Sequence, residues 1–413
     1  MKIMLFLGSG ISFPSGLPCA GQITDSALSG EWYKTTAVAR YGNGPHARYH
    51  RLEDNLSLRA AVENSRRMSH KHYQTRQVTQ LQQFLKLLKT DANEYFIVTK
   101  RSREANYEDL YYLADQLENE ESAKVDNPAV LFFWQKIKEE SESAGLRSPD
   151  ERRFPNERTS LSPLVQDSCN FIADVVIQNL WVSKSLEPKG LECLLELAKS
   201  RRVGRLDIFT LNHDCLIERL FSLNNVRISD GFGDLSHAGI RSFDRNTYDS
   251  GTKVRLFKLH GSLDWRLFGG IISPQVGLEL CGTDPDCSPQ PCVLQSGILL
   301  VGTYNKIADY SAGLFSELHW RFHQALLEHD TMIMSGYGWN DHAINQRLCD
   351  WLETSSSQRL ILFHRNPKDV LTRARVKGWS YKRFLREKKL VRVRKYLSDP
   401  GAVEEMSALL GLQ

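Results

Sequence analysis

The stretch Ile3-Met4-Leu5-Phe6-Leu7-Gly8-Ser9-Gly10-Ile11-Ser12 decides how the chain begins to fold. Its first five residues are continuously apolar, which is typical of a parallel strand buried on both faces. A glycine turn follows at once, and Gly16-Leu17-Pro18 gives a second turn signal. Such a turn between a strand and a helix lets backbone N–H groups approach a phosphate. Because Phe13 breaks the ordinary GxGxxG pattern, the motif alone indicates a structural turn as readily as a phosphate site.

Four more apolar runs of strand length lie further along the chain, at 206–211, 254–259, 331–335 and 360–363. Helical patterns, such as 314–328 and 342–352, separate several of them. This alternation predicts an α/β fold, a Rossmann-like parallel sheet with helices on both faces. Ligands of such sheets bind beyond the carboxyl ends of the strands, and each run here ends in a polar or glycine-bearing motif.

Residues 26–199 differ from the rest of the chain, because they contain few glycines and many stretches of helical period. These stretches are 75–89, 107–117, 129–137 and 161–180. We predict a helical insertion or subdomain at 26–199, inserted into a Rossmann-like domain of residues 1–25 and 200–413. A separate folded domain with its own function is the alternative. The polar segments 40–59 and 139–158 are predicted to be exposed loops or linkers.

Charge and hydropathy argue against two classes of partner. The 413 residues carry 53 basic and 49 acidic side chains, a surplus that gives no electrostatic case for nucleic-acid or membrane binding. No apolar run reaches the roughly 18 residues of a membrane helix. The apolar stretch at the N-terminus is too short for a signal peptide, so we expect a cytoplasmic protein.

The cysteines give no clear metal signature. Cys281, Cys287 and Cys292 form a cluster, but their spacing is not that of the CxxC pairs of a structural zinc site. A loop with free thiols and no metal is the favoured interpretation, and a zinc site is the alternative.

Two motifs at predicted strand ends contain residue types that can bind a ligand or transfer a proton. In Thr210-Leu211-Asn212-His213-Asp214, Asp214 is placed to cap the helix that follows, and Asn212 is placed to hold a ribose hydroxyl or a water. In Lys258-Leu259-His260-Gly261-Ser262-Leu263-Asp264-Trp265, His260 ends a strand. Imidazole titrates near neutral pH and suits proton removal, although a single histidine is more often structural.

Two further motifs follow the last two predicted strands. Gly336-Tyr337-Gly338-Trp339-Asn340-Asp341 offers Gly336 to a phosphate and Asp341 as a cap for the next helix. His364-Arg365-Asn366-Pro367 offers Asn366 to an adenosine ribose or forms a simple turn.

Taken in order, these motifs resemble those of the sirtuin family, and more closely the sirtuin-like NAD+ hydrolases of bacterial antiphage defence systems. Sirtuins carry Gly-Ala-Gly-x-Ser, Gly-Ile/Leu-Pro, Thr-x-Asn-x-Asp and a catalytic His followed by Gly. The segments 8–12, 16–18, 210–214 and 260–261 match these patterns. The segments 258–265 and 336–341 look like the defence branch. The resemblance covers roughly residues 1–25 and 200–370.

The resemblance implies a role for each matching residue. Asn212 and His260 would be catalytic, with Asn212 positioning the ribose or the attacking water and His260 acting as general base. The residues implied to bind NAD+ are Gly8, Ser9, Gly10, Ser12, Asp214, Gly336, Tyr337 and Asn366. The paired CxxC motifs of the deacetylase zinc ribbon are missing, and the ribbon supports the acyl-lysine cleft. Hydrolysis of NAD+ is therefore favoured over deacylation, and no metal is expected.

The implied activity is cleavage of the nicotinamide–ribose bond of NAD+, which is a substrate here, by an NAD-depleting effector of abortive infection. The alternatives are a protein deacylase or ADP-ribosyltransferase and a non-catalytic sensor of NAD+ or ADP-ribose. Such an enzyme needs control, so we expect a homo-oligomer or a separate partner such as a HerA-family ATPase. The basic stretch from Lys377 to Lys395 is interpreted as a solvated face, with a docking site for a partner or nucleic acid as the alternative.

Overall fold

The computed structural model describes residues 1–38, 45–51, 68–99, 103–121, 127–146, 161–236, 240–268, 275–279, 292–294 and 297–412. The strands are β1 (Lys2–Leu7), β2 (Trp32–Val38), β3 (Pro45–Arg51), β4 (Arg205–Thr210), β5 (Ile228–Ser229), β6 (Ile240–Ser242), β7 (Val254–Lys258), β8 (Gly261–Ser262), β9 (Trp265–Phe268), β10 (Gln275–Glu279), β11 (Cys292–Leu294), β12 (Ile298–Leu299), β13 (Thr331–Ser335), β14 (Arg359–Phe363) and β15 (Leu390–Val393). The α-helices are α1 (Ala20–Ser29), α2 (Met68–Val98), α3 (Tyr107–Glu121), α4 (Pro128–Ser143), α5 (Ser162–Trp181), α6 (Glu192–Lys199), α7 (Leu216–Leu223), α8 (Lys306–Asp309), α9 (Gly313–Glu328), α10 (His342–Thr354), α11 (Pro367–Leu371), α12 (Tyr381–Arg386) and α13 (Ala402–Leu410).

A seven-stranded sheet, in the order β15-β14-β13-β1-β4-β7-β5, forms the centre of the fold. All of its strand pairs are parallel. From β1 the chain moves outward to β4 and to the edge strand β5, steps back to β7 between them, and then returns to place β13 on the other side of β1. The strands that follow β1 and β13 in this sheet therefore lie on opposite sides, and ligands of open α/β sheets bind at the carboxyl ends of such a pair of strands. The predicted α/β class with a Rossmann-like parallel sheet is confirmed.

Burial explains why the strands read as continuous apolar runs. In β1, every residue from Ile3 to Leu7 is buried, because the sheet is covered on both faces. Aromatic rings fill one of these layers: Phe6 lies 5.5 Å from Phe322 of α9, and Phe209 stacks on Phe257 at 4.5 Å between ring centroids. The packed rings hold the strand ends, and thus the motifs after them, in fixed positions.

The basic stretch near the C-terminus contains a strand that the sequence interpretation missed. β15 pairs in parallel with β14, with Leu360 opposite Leu390 and Phe363 opposite Val393. Leu390 and Val393 are buried whereas Arg392 is exposed. Most basic side chains of the stretch are exposed, as expected of a solvated face, but the charged residues hide the alternating pattern of an edge strand among them.

The chain divides into two compact units, one of residues 1–19, 180–300 and 306–413, and one of residues 20–179 and 301–305. The first unit contains the parallel sheet. It also holds a four-stranded antiparallel sheet, β11-β9-β10-β6, that the sequence patterns did not predict. No helix in the part of the chain that the structure describes is long and apolar enough to cross a bilayer.

The second unit consists of helices and one hairpin. The predicted helices at 75–89, 107–117, 129–137 and 161–180 are confirmed as parts of α2, α3, α4 and α5. The prediction of a loop at 40–59 is wrong for 45–51, which forms β3 and pairs with β2. Phe171 of α5 holds this hairpin, because its ring packs edge-on against Trp32 at 5.8 Å and Tyr49 at 5.0 Å between centroids. The predicted loop at 139–158 is wrong up to Ser143, where α4 ends, and 147–158 lie outside the described residues.

Candidate active site

The glycine turn after β1 is packed directly against the end of β13. The N–H of Gly8 donates to the Ser335 carbonyl and the N–H of Gly10 to the Gly336 carbonyl, both at 3.0 Å. A Cβ at Gly8 would lie 2.6 Å from the Gly336 oxygen, and a Cβ at Gly10 would lie 2.8 Å from the Gly336 Cα. Gly336 also has a φ of +70°, which favours glycine. Close approach of the two backbones thus requires glycine at all three positions.

Ser9, between these glycines, is exposed and begins a 3-10 helix that runs to Ser15. Because the Gly8 and Gly10 N–H groups are bonded to carbonyls, the predicted contact of Gly8, Ser9 and Gly10 with a pyrophosphate stays a prediction. Of the three residues Gly8, Ser9 and Gly10, only Ser9 has a side chain, and it is exposed.

Ser12 connects this 3-10 helix to the motif after β4. Its hydroxyl donates to Oδ2 of Asp214 at 2.8 Å and accepts from Nδ2 of Asn212 at 3.1 Å. Asp214 also accepts the Leu216 N–H through Oδ1 at 3.1 Å, so it bonds the first N–H of α7 from the position before the N-cap, which is Cys215 and not Asp214 as the sequence suggested. All three side chains of the chain Asn212–Ser12–Asp214 are buried. The structure therefore brings Ser12 next to Asn212, which lies 200 positions further along the sequence, and to Asp214 beside it.

The hydrogen bonds of Ser12 fix the orientation of the Asn212 amide. A serine hydroxyl has a single proton, and here that proton goes to a carboxylate, so Ser12 must accept from the NH2 group of Asn212. Oδ1 of Asn212 then points elsewhere, and it is buried with no hydrogen-bond partner among the described residues. A buried polar atom without a partner is costly in a native fold. Asn212 thus has an oriented acceptor that no other described residue satisfies.

His260 lies beside Asn212 at the same edge of the sheet. Thr210 pairs with Lys258 across β4 and β7, so Asn212 and His260 each stand two residues beyond a paired position. The chain turns sharply after His260, because Gly261 has a φ of +82° and a Cβ there would lie 2.0 Å from the Ile298 carbonyl oxygen. This turn ends the strand and leaves the imidazole at the carboxyl edge.

The ring of His260 contacts two buried groups that the sequence did not assign to the site. Its Nε2 lies 2.8 Å from the hydroxyl of Tyr310 and 3.2 Å from Oδ2 of Asp341. Tyr310 also donates its proton to Oδ2 of Asp341. Asp341 caps α10 as predicted, because its Oδ1 accepts the N–H of Ile344 at 3.0 Å. The role of Asp341 as a cap was visible in the sequence, whereas Tyr310 follows a short polar helix and gave no signal.

His213 was also missed, although it lies within the Asn212 motif. Its ring is buried, lies 6.3 Å from the ring of His260 between centroids, and has no partner for Nδ1 among the described residues. Burial, together with the charges of His260, Lys306 and Lys258, lowers the pKa of His213 well below its usual value. The neutral form of the His213 ring is therefore favoured.

Lys258, two residues before His260, connects β7 with the segment after β4 and with α7. Its ammonium donates to the Asp214 carbonyl at 2.5 Å and to Oε1 of Glu218 in α7 at 2.8 Å. Burial opposes the charge, but the carboxylate of Glu218 outweighs it and raises the pKa of Lys258. A lysine directly after the apolar pair Leu256-Phe257, at the buried end of the strand, was the sequence signal for this contact.

A cavity of about 440 Å³ lies next to this ion pair. Its wall includes Glu218, Lys258 and Asp264 but neither Asn212 nor His260. The cavity is therefore separate from Asn212 and His260, and we assign it no part in the chemistry.

The remaining predicted site residues have different surroundings. Tyr337 is buried, and its hydroxyl donates to Oδ1 of Asn345 at 2.8 Å, inside the first turns of α10. Asn366 is exposed before α11, and its amide donates to Asp369. Contact of Gly336, Tyr337 and Asn366 with the adenosine part of NAD+ stays a prediction.

Among the described residues, no group of three or more His, Cys, Asp or Glu side chains is arranged to hold a metal ion. Cys281 and Cys287 lie outside the described residues, and the side chain of Cys292 is not described either.

Comparison with known proteins gives one family match. A family model described as "SIR2-like domain" matches residues 207–391, which is less than half of the chain and includes Asn212, His260 and Asp341. Comparison with curated proteins gives no match. Among solved structures, a mutant Sir2 homologue in complex with ADP-ribose is 13% identical, with a TM-score of 0.35 over 66% of this chain and 90% of that one. A Sir2 homologue in complex with NAD is 12% identical, with a TM-score of 0.35 over 65% of this chain and 86% of that one. Residues 207–391, which carry the strand-end motifs around Asn212 and His260, are thus similar in sequence to the SIR2-like domain.

Proposed function

We propose that the protein is an NAD+ glycohydrolase, which cleaves the nicotinamide–ribose bond to give nicotinamide and ADP-ribose. The observation that carries the proposal is the buried, unpartnered Oδ1 of Asn212, oriented by Ser12 at the sheet edge where His260 also lies. The match of residues 207–391 to the SIR2-like domain supports NAD+ as the ligand.

The proposed reaction replaces a cationic leaving group by water. The bond between C1′ of the ribose and the nicotinamide nitrogen breaks, and its electron pair neutralises the pyridinium. Water attacks C1′, and the proton that it loses passes to His260, which acts as general base. Asn212 accepts a hydrogen bond from that water or from a ribose hydroxyl, which holds the reacting groups in line. Ser12 and Asp214 keep the amide in this orientation.

The test is NAD+ consumption by the purified protein, with the products separated by chromatography. We expect wild type to release nicotinamide and ADP-ribose, and Asn212→Ala and His260→Ala to lose turnover while they keep the wild-type Tm. The matched controls are the exposed residues Asn246 and His323, whose alanine variants retain turnover. Unchanged hydrolysis in either site variant would contradict the assignment. Binding of NAD+ without turnover in wild type would favour a sensor, and a modified protein product would favour a deacylase or transferase.

We also propose that this activity is controlled, in an NAD-depleting effector of antiphage defence, by self-assembly or by a HerA-family ATPase partner. The support is the similarity of residues 258–265 and 336–341 to the defence branch. Turnover per chain should then rise with protein concentration, or on addition of the partner, in parallel with the mass found by sedimentation velocity. A monomer with constant, full activity would contradict this proposal.

A further inference from the structure

The buried contacts of His260 define which of its nitrogens carries a proton. Tyr310 has one hydroxyl proton and donates it to Oδ2 of Asp341. The same hydroxyl lies 2.8 Å from Nε2 of His260, so it must accept the hydrogen bond from that nitrogen. Nε2 therefore carries the proton, and the lone pair of the neutral ring is on Nδ1.

We propose that Asp341, together with Tyr310, is the positioning partner of His260: its carboxylate fixes the ring through Nε2–H and stabilises the positive charge that forms when Nδ1 accepts a proton. This inference rests on the proposed function, because it gives His260 the role of base. The arrangement is analogous to a carboxylate that holds a catalytic imidazole in one tautomer.

The surroundings keep this carboxylate ionised. Burial alone would raise the pKa of Asp341, but the hydrogen bond from His260, the charge of that ring once it is protonated and the charge of Lys306 hold the pKa well below its usual value. Two more groups face the cluster from α9 and α10: His319 stacks on Tyr310 at 3.8 Å between centroids, and Nδ1 of His319 lies 3.1 Å from the Arg347 guanidinium. The positive side chains around Asp341 thus favour its charged form.

Asp341 has two roles that involve different oxygens. Oδ1 accepts the N–H of Ile344 and caps α10, whereas Oδ2 faces Tyr310 and His260. Asparagine is about as good an N-cap as aspartate, but it carries no charge. Asp341→Asn therefore keeps the cap and removes the charge, whereas Asp341→Ala removes both.

The first experiment measures kcat, KM and Tm of both variants across pH 5–9. We expect Asp341→Asn to keep the wild-type Tm and KM but to lower kcat by about 10²- to 10⁴-fold, in the range of a base that loses its orienting carboxylate. The ascending limb of its kcat/KM profile should move to lower pH, because the protonated ring has lost its counter-charge. Tyr310→Phe should lower kcat by less. The matched control is Asp244→Asn, which removes the charge of another capping residue and should leave turnover unchanged. Full turnover in Asp341→Asn, with a lower Tm in Asp341→Ala, would overturn the proposal and leave Asp341 as a cap alone.

The second experiment separates this proposal from the proposed function. The protein is labelled with ¹⁵N-histidine, the signal of His260 is identified by its loss in His260→Gln, and its titration is followed by NMR. We expect the midpoint to fall by about one to three pH units in Asp341→Asn, as for a charge pair at this distance. Wild type without NAD+ turnover would refute the hydrolase, but the shifted midpoint would still support the His260–Asp341 pairing. An unshifted midpoint would overturn it.

Discussion

Ser12 fixes the orientation of the larger Asn212 side chain through a hydrogen bond. Its hydroxyl is the only group in the Asn212–Ser12–Asp214 chain that both donates and accepts, and it thereby decides which end of the Asn212 amide meets the ligand. The resemblance implies that Ser12 contacts NAD+, and this contact stays a prediction. In the structure the Ser12 hydroxyl lies between Asn212 and Asp214.

We expect Ser12→Ala to lower NAD+ turnover by about 10²-fold, because the freed amide can rotate away from the reacting geometry. The change should also cost about 1–3 kcal/mol of unfolding free energy, since Oδ2 of Asp214 stays buried without its donor. Product chromatography and urea denaturation measure the two effects. The exposed Ser250 is the matched control, and Ser250→Ala should change neither quantity. Wild-type turnover in Ser12→Ala would show that Asn212 does not need this hydrogen bond.

At the scale of elements, Lys258 joins β7, the end of β4 and α7 through one ammonium group. Buried ion pairs are costly to break singly, because the remaining charge stays away from water. The Lys258–Glu218 pair should therefore contribute more to the unfolding free energy than the exposed ion pairs do.

We expect Lys258→Met to lower the unfolding free energy by about 3–5 kcal/mol, because the Glu218 carboxylate is left without its counter-charge. The double variant Lys258→Met/Glu218→Gln should recover part of this loss. Lys395→Met is the control, as Lys395 pairs with Glu405 and both side chains are exposed, so its loss should cost no more than about 1 kcal/mol. Urea denaturation compares the variants, and equal losses of unfolding free energy for Lys258→Met and Lys395→Met would refute the difference.

How far the sequence predicted the elements depends on their surroundings. The central strands were predictable, because burial on both faces makes them continuously apolar, and so were the longer helices of the second unit. The edge strand β15 was not, because one buried face gives Leu390 and Val393 only a short alternating pattern among charges. Very short strands such as β5 and β8 depend on pairing with a neighbour, which no local pattern encodes.

The part of the candidate site that directly follows buried strands was predictable, because those strands have a clear apolar pattern. Asn212, Asp214 and His260 follow buried strands, so their shared edge could be inferred from the strand pattern alone. Their partners could not be predicted: Ser12 is hydrogen-bonded to Asn212 across 200 positions of sequence, and Tyr310 contacts His260 from a polar connection. Contacts of this kind depend on tertiary packing and produce no periodic pattern in the sequence.

For the whole molecule, buried histidines should govern the stability in mild acid. Burial, with the charges of His260 and Arg347, lowers the pKa of His319 from 6.5 to about 3. A lowered pKa in the folded state means that stability is full above pH 6.5 and is lost as the pH falls towards 3, because only the unfolded chain binds the proton. His213, whose pKa is also lowered, acts in the same direction.

We therefore expect the unfolding free energy to fall between pH 7 and pH 5, with a contribution from His319 of up to about 1.4 kcal/mol per pH unit. His319→Gln should have a shallower slope than wild type, whatever its stability at pH 7. The exposed His323→Gln is the control and should keep the wild-type slope. Urea denaturation at several pH values provides the measurement, and parallel curves for wild type and His319→Gln would contradict the prediction.

The contact of Gly8 and Gly10 with Gly336 limits how activity losses in variants of these glycines can be interpreted. Because each added methyl group would overlap backbone atoms of the opposite turn, alanine at any of the three positions forces β1 and β13 apart. Lost activity in such variants would report a displaced sheet rather than a lost ligand contact, so these glycines are uninformative about nucleotide recognition. Ser9, whose exposed side chain can be changed without moving the backbone, is the position at which that recognition can be measured.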